Sequence, residues 1–153
     1  MGHGARMGLT ANEQIVRRAY LDGMNNRDVS VIEETFAPDY VCNFPAGQGY
    51  VKGREAFTET LFAFLGAFDH LVFSVEETLA QGDRVVLRWS AVGKHTADYA
   101  GLTSAQVVPP TGRTISMSAT DVYRIADGQI AEEWNTFDGY YVLLQMGALQ
   151  PVT

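Results

Sequence analysis

One cysteine, Cys42, is the whole thiol complement of this 153-residue chain. An intramolecular disulfide is therefore excluded, and so is a metal site built on several thiolates. Basic residues are also sparse. Eleven Lys and Arg stand against 18 Asp and Glu, a net charge of −7, and no basic run exceeds Arg17-Arg18. Nucleic acid and acidic membranes are not expected as partners. No apolar stretch reaches the roughly 18 residues a bilayer span needs, and no segment reads as a signal peptide, so the expected location is cytoplasmic. Three histidines, His3, His70 and His95, are too dispersed for the clustered imidazoles or carboxylates of metal catalysis, and no metal site is expected. Gly47-Gln48-Gly49 lacks the strand–loop–helix context and lysine of a phosphate loop, and no G-x-S-x-G elbow is present. What remains is proton transfer and hydrogen bonding.

The length suits one domain with a sizeable core, and 46% hydrophobic with 19% charged residues is ordinary for a globular chain. Residues 1–9 are Gly-rich and aperiodic and read as a flexible tail; residues 10–153 are expected to form the domain. Apolar spacing through Ile15, Ala19, Tyr20, Leu21 and Met24 predicts a helix from Ala11 to about Arg27, with Thr10 and Glu13 as a capping box. Asp28 or Ser30 starts a short second helix that Pro38 stops. "YVCNF" is a short strand closed by "PAGQG". A third helix spans about Gly53 to Ala67, with Ala56, Phe57, Leu61, Phe64 and Leu65 on its buried face.

Beyond Phe68 the period changes to two. "HLVFSVEETLAQ" and "RVVLRWSAVGKH" form a hairpin about Gly82-Asp83, and "TISMSATDVYRI" leads through the Asp127-Gly128 turn into "GQIAEEWNTFD". Helices followed by antiparallel strands make an α+β domain. Alternation places Val85, Leu87, Trp89, Ala91 and His95 on one face, and Ile115, Met117, Ala119, Asp121 and Tyr123 on another. In the last strand it groups Ile130, Glu132, Trp134, Thr136 and Asp138. Bending these faces around the helices brings His95, Asp121 and Asp138 into one aromatic- and Met-lined cavity. Burial there would raise a carboxyl pKa toward working pH.

These patterns resemble the nuclear transport factor 2-like fold, a cone of curved, mostly antiparallel sheet and three helices. Within it the chain resembles the SnoaL-like polyketide cyclases, or ester cyclases, over residues 11–150. The resemblance is carried by "FAPDYV", "GREAF", "GDRVVLRW", "GKHTADYAG…PPTGR" and above all "VYRIADGQIAEEWNTFDGYYVLLQMG". In those cyclases an acid of the last strand takes a proton from an activated carbon to start an intramolecular aldol closure. Asp138, in E-W-x-x-x-D, matches that acid, and His95, in G-K-H-T, matches a pocket histidine. Asn43 stands where a histidine is common in ester cyclases. A second resemblance, to ketosteroid isomerases, falls on Tyr20 as the oxyanion-binding tyrosine and Asp121 as a neutral carboxylic acid. Where those isomerases have their base, just before Pro45, this chain has Phe44.

The resemblance implies a cofactor-free acid/base enzyme acting on a small hydrophobic carbonyl compound. Asp138 would be the base, His95, Tyr20 and protonated Asp121 the donors to an enolate oxygen, and Trp134, Trp89, Phe64 and Met117 the wall. Asn43 would position a substrate carbonyl. The alternatives are an isomerase of the ketosteroid type and a non-catalytic binder of a small hydrophobic ligand. Each residue also has a plain structural reading: Asp138 as a cap on the C-terminal segment, Asp121 and Asn43 as buried hydrogen bonders, His95 as a turn residue, Tyr20 as a packing ring. Val86, Val92 and Val122 on the outward face, among hydroxyls and arginines, suggest an isologous interface. A homodimer is expected, with a tetramer as the alternative.

Overall fold

The computed structural model describes residues 8–44, 49–100 and 107–151. Residues 1–7, 45–48, 101–106 and 152–153 lie outside them, and with them parts of the expected tail, of "PAGQG" and of "GKHTADYAG…PPTGR". The Thr10–Glu13 capping box is present in both directions and opens α1 (Ala11–Arg18). The helix continues without a break into a π-helical stretch, Ala19–Met24, which carries Tyr20. Asp28 caps α2 (Val29–Thr35), its carboxylate accepting from the Ser30 and Val31 amides. Then come β1 (Phe36–Asn43), β2 (Tyr50–Lys52), α3 (Arg54–Gly66), β3 (Phe68–Gln81), β4 (Arg84–His95), β5 (Thr114–Ala126), β6 (Gln129–Trp134) and α4 (Gly139–Gln145). In α3 the buried stripe is Phe57, Leu61 and Leu65, while Ala56 is exposed.

The six strands form one curved, unclosed sheet in the order β2-β1-β6-β5-β4-β3. All neighbours are antiparallel except β1 and β6. This is the expected α+β cone, with a fourth helix, α4, beyond the three expected. The concave face packs on the helices and holds the core, which includes Tyr40, Leu87, Ile115 and Tyr123. β4 and β5 pair in unbroken register from Arg84↔Arg124 to Lys94↔Thr114, so the alternation read from sequence holds in both strands.

β6 does not keep that alternation. Ile125 pairs with Ile130 but Arg124 pairs with Glu132, leaving Ala131 as an extra residue on β6. Such a bulge shifts every later side chain to the opposite face. Ile130 is buried, yet beyond the bulge Glu133 is the buried residue, and Trp134 lies 38% exposed. The expected inward row of Glu132, Trp134, Thr136 and Asp138 is thus corrected: these side chains fall outside the core and Glu133 takes the interior position. Trp134 stacks under the Arg84 guanidinium, 5.5 Å from its ring centre, instead of forming a pocket wall. Asp138 is exposed and caps α4, its Oδ1 accepting from the Tyr141 amide at 3.0 Å. The plain structural reading of Asp138 describes its position.

Candidate active site

Four parts of the chain converge beneath the helices. The π-helical stretch supplies Tyr20, β4 supplies Trp89, and β1 supplies Tyr40 and Cys42. β5 and β6, with the segment after β6, supply Asp121, Tyr123, Glu133, Asn135 and Phe137. Some of these side chains border a cavity of about 60 Å³ lined by Tyr20, Met24, Cys42, Phe44, Phe57, Thr60, Leu61, Phe64, Phe73, Trp89, Glu133, Asn135 and Phe137, while Tyr40, Asp121 and Tyr123 lie behind it. Aromatic rings dominate. Phe137 stacks on Trp89 with centroids 6.2 Å apart, and Phe64 meets Phe137 edge-on at 5.9 Å. Glu133 is the lone carboxyl among these lining residues.

Behind the cavity runs a chain of buried hydrogen bonds. Asp121 accepts from the Trp89 indole at 2.7 Å, from the Thr136 backbone amide at 2.8 Å and from the Tyr20 hydroxyl at 3.4 Å. The Tyr20 and Tyr123 hydroxyls lie 2.6 Å apart. Tyr123 reaches Glu133 Oε1 at 3.3 Å, Asn135 donates to the same oxygen at 3.2 Å, and Tyr40 bonds Oε2. A buried tyrosine needs a partner for its hydroxyl, and here three tyrosines satisfy one another and two acids.

Burial is the chief cause that lifts the Glu133 pKa well above the ordinary carboxylate range, and the neighbouring Asp121 charge adds to it. Asp121 is likewise raised by burial, with the Thr136, Trp89 and Tyr20 donors opposing the shift. Burial also pushes the Tyr20, Tyr40 and Tyr123 hydroxyls and the Cys42 thiol upward. At neutral pH the phenols and thiol are therefore neutral. The titratable capacity of the site is carried by two carboxyl groups whose charged forms are both disfavoured.

Of the sequence candidates, the structure joins Tyr20, Asp121 and Trp89 by hydrogen bonds and sets Phe64 on the cavity wall. Asp121 itself lies behind Tyr20 and Trp89. Met117 is buried on the same face of β5 but is not a lining residue. His95 is buried at the far end of β4, between the Phe68 and Tyr99 rings, with Nδ1 3.0 Å from the Thr111 hydroxyl. Burial lowers its pKa. It does not share the cavity. Asn43 uses its amide to tie β1 to β6, donating to Glu132 Oε1 at 3.2 Å and to the Glu133 carbonyl at 3.0 Å. Glu133, Tyr40 and Tyr123 are absent from the sequence candidates. Tyr123 carried a signal, since it shares the Asp121 face. Glu133 carried none without knowledge of the bulge.

Comparison with known proteins follows the same architecture. The model of the SnoaL-like polyketide cyclase family matches residues 14–146. No curated protein matches the chain in sequence. Among solved structures, IdmH of Streptomyces antibioticus, described as a candidate polyketide cyclase, is 27% identical, covering 89% of this chain and 98% of its own, at a TM-score of 0.74. A candidate SnoaL-like polyketide cyclase of Jannaschia sp. CCS1 is 24% identical over 97% of this chain and 100% of its own, TM-score 0.80. AclR of Streptomyces galilaeus, described as a candidate hydroxylase, is 24% identical over 91% of this chain and 97% of its own, TM-score 0.76. The latter two speak to the fold, a nuclear transport factor 2-like cone, and their differing descriptions fit the rule that one fold hosts several chemistries. With nearly its whole length matched, the chain belongs to the SnoaL-like polyketide cyclase family.

Proposed function

We propose that this protein is a cofactor-free acid/base enzyme that removes a proton beside a carbonyl of a small hydrophobic compound, in the manner of an intramolecular aldol cyclase. The observation that carries this reading is the Glu133 carboxyl, the one carboxyl on the wall of a largely apolar, aromatic cavity. Glu133 takes the role the sequence suggested for Asp138. Ionised, it accepts the proton from carbon. The enolate oxygen meets a hydrogen bond from the Asn135 amide, which lines the cavity beside Glu133. Enzymes raise carboxyl pKa values toward working pH for this kind of step, and burial does so here.

The cavity of about 60 Å³ is smaller than the ~150 Å³ that holds a benzene molecule. Substrate entry therefore moves wall rings such as Phe64 and Phe137. That tight, hydrogen-bonded interior also supports the second reading, a binder without turnover. The protein works as a homodimer through the outer sheet face, where Val72, Val92 and Leu79 are exposed beside the Arg88–Glu77 ion pair.

The test uses 2-tetralone, a flat ketone with an activated α-carbon, and follows α-hydrogen exchange in D₂O by proton NMR. Wild type should accelerate exchange. Glu133→Gln, which keeps shape and loses basicity, should lower the rate by about 10²–10⁴-fold with little change in binding. Exchange at the wild-type rate in Glu133→Gln would remove Glu133 from the chemistry. Binding without exchange in wild type would establish the binder.

A further inference from the structure

Two acids and two tyrosines lie in a line: Asp121, Tyr20, Tyr123, Glu133. Three oxygen–oxygen contacts join them, at 3.4, 2.6 and 3.3 Å. Each contact needs one hydrogen. The two hydroxyls supply two, and ionised carboxylates supply none. If both acids are charged, one contact must oppose lone pairs. If both are protonated, one hydrogen too many occupies the line. Three contacts and two hydroxyls are fully matched only when one carboxyl, and not both, carries a proton.

We propose that Asp121 and Glu133 hold a single proton in common through the Tyr20–Tyr123 hydroxyl pair, and that its transfer along this line sets whether Glu133 is an acid or a base. In one arrangement Glu133 donates to Tyr123, Tyr123 to Tyr20, and Tyr20 to ionised Asp121. In the other, protonated Asp121 donates to Tyr20, Tyr20 to Tyr123, and Tyr123 to ionised Glu133. Passing between them moves three hydrogens by one bond each. Every hydroxyl gains one proton and loses one, and the net charge of the line stays at −1. Asp121 is a positioning residue here, because it lies behind the cavity wall and acts on Glu133 through the hydroxyls.

The remaining contacts decide the resting arrangement. Asp121 receives two N–H donors that can never accept, the Trp89 indole and the Thr136 amide, at 2.7 and 2.8 Å. Both favour its charged form. Glu133 has one such donor, the Asn135 amide at 3.2 Å, and a Tyr40 hydroxyl that can serve either way. The proton therefore rests on Glu133. The groups that face Glu133 are Tyr40 and Cys42 from β1, Asp121 and Tyr123 from β5, Tyr20 from the first helix and Asn135 beyond β6. None of these is cationic, so the shared proton is what limits charge in the site. Both acids being raised by burial agrees with this.

The use made of the proton rests on the proposed function; the sharing itself does not, and its test needs no substrate. The full chain, carrying ¹³C in its Asp and Glu carboxyls, is titrated by NMR from mildly acid to alkaline pH, with Glu133→Gln assigning the Glu133 signal. In wild type, Glu133 should stay protonated through neutrality beside an ionised Asp121. Downfield Tyr20 and Tyr123 hydroxyl protons should be visible over the same interval and vanish when Glu133 ionises. In Asp121→Asn the Glu133 midpoint should move toward acid by about one unit or more, because the like charge is gone and the amide can donate or accept. In Tyr123→Phe, which keeps the buried ring, the hydroxyl signals should be lost at all pH values. An unchanged Glu133 midpoint in Asp121→Asn, or hydroxyl signals in wild type that outlast ionisation of both acids, would overturn the proposal. Should Asp121→Asn fail to fold, the wild-type and Tyr123→Phe titrations decide alone. A confirmed shared proton together with undiminished exchange in Glu133→Gln would sink the proposed function and leave this inference standing.

Discussion

Three acidic residues within seven positions, Glu132, Glu133 and Asp138, meet three different fates. Glu132 is half-buried and pairs with Arg124 at 3.2 Å, Glu133 is buried among tyrosines, and Asp138 caps a helix from an exposed position. Residue type does not separate them; environment does, because desolvation penalises charge only where water is excluded. Asp138→Ala is expected to cost about 1 kcal/mol through loss of the α4 cap. It should leave α-hydrogen exchange near the wild-type rate. Urea unfolding checks the first part and the 2-tetralone assay the second. A loss of exchange as large as that of Glu133→Gln would return Asp138 to the catalytic machinery.

Elements are fitted together closely enough that two glycines can be ranked. A β-carbon on Gly93 would lie 2.9 Å from the Leu71 Cα, which is backbone, where β3 bulges against β4. One on Gly23 would lie 2.8 Å from the Ile32 Cδ1, the tip of a flexible side chain. Overpacking typically costs about 1–3 kcal/mol, and a backbone obstacle yields less readily than a methyl group. Gly93→Ala should therefore lower the urea midpoint more than Gly23→Ala. The reverse order would mean that the first helix and α2 are the more rigid contact. The β6 bulge matters at this same scale, since one additional residue, Ala131, turns Glu133 toward the cavity and Trp134 away from it.

For the whole molecule, the buried acids give stability a definite pH dependence. The Glu133 pKa in the fold lies above its ordinary 4.5, so across that window the native state holds more protons than the unfolded chain. Its contribution is complete below the ordinary value and is lost as pH rises through the folded one; Asp121 acts in the same sense. Glu13 and Asp28, held low mainly by the Thr10 amide and the Ser30 side chain respectively, act in the opposite sense, but each is displaced less than Glu133. The buried pair should win. The Tm should peak at mildly acid pH and decline toward alkaline pH, and Glu133→Gln should flatten that decline. A Tm profile identical in the two proteins would show that Glu133 is not desolvated. Assembly belongs to this scale too. Sedimentation at micromolar concentration should give twice the 16.8 kDa chain mass, and a monomer alone would reject pairing through the outer sheet face.

The sequence by itself determined the helix start at Thr10, the two hairpin turns, and the inward faces of β4 and β5, and it narrowed the second helix's start to Asp28 or Ser30. Each depends on short-range chemistry: a cap oxygen within reach of nearby amides, a turn that glycine permits, an alternation of period two. It likewise marked Tyr20, Trp89 and Asp121, which the structure joins. What it could not show was which acid of the last strand enters the core. That depends on the register of β6 against β5 and β1, a sum of pairings between residues far apart in the chain. One bulge reverses it without altering composition or local propensity. Only the tertiary structure could decide that Glu133 faces the cavity while Asp138 caps a helix, because the deciding quantity is the position of Ala131 outside the ladder.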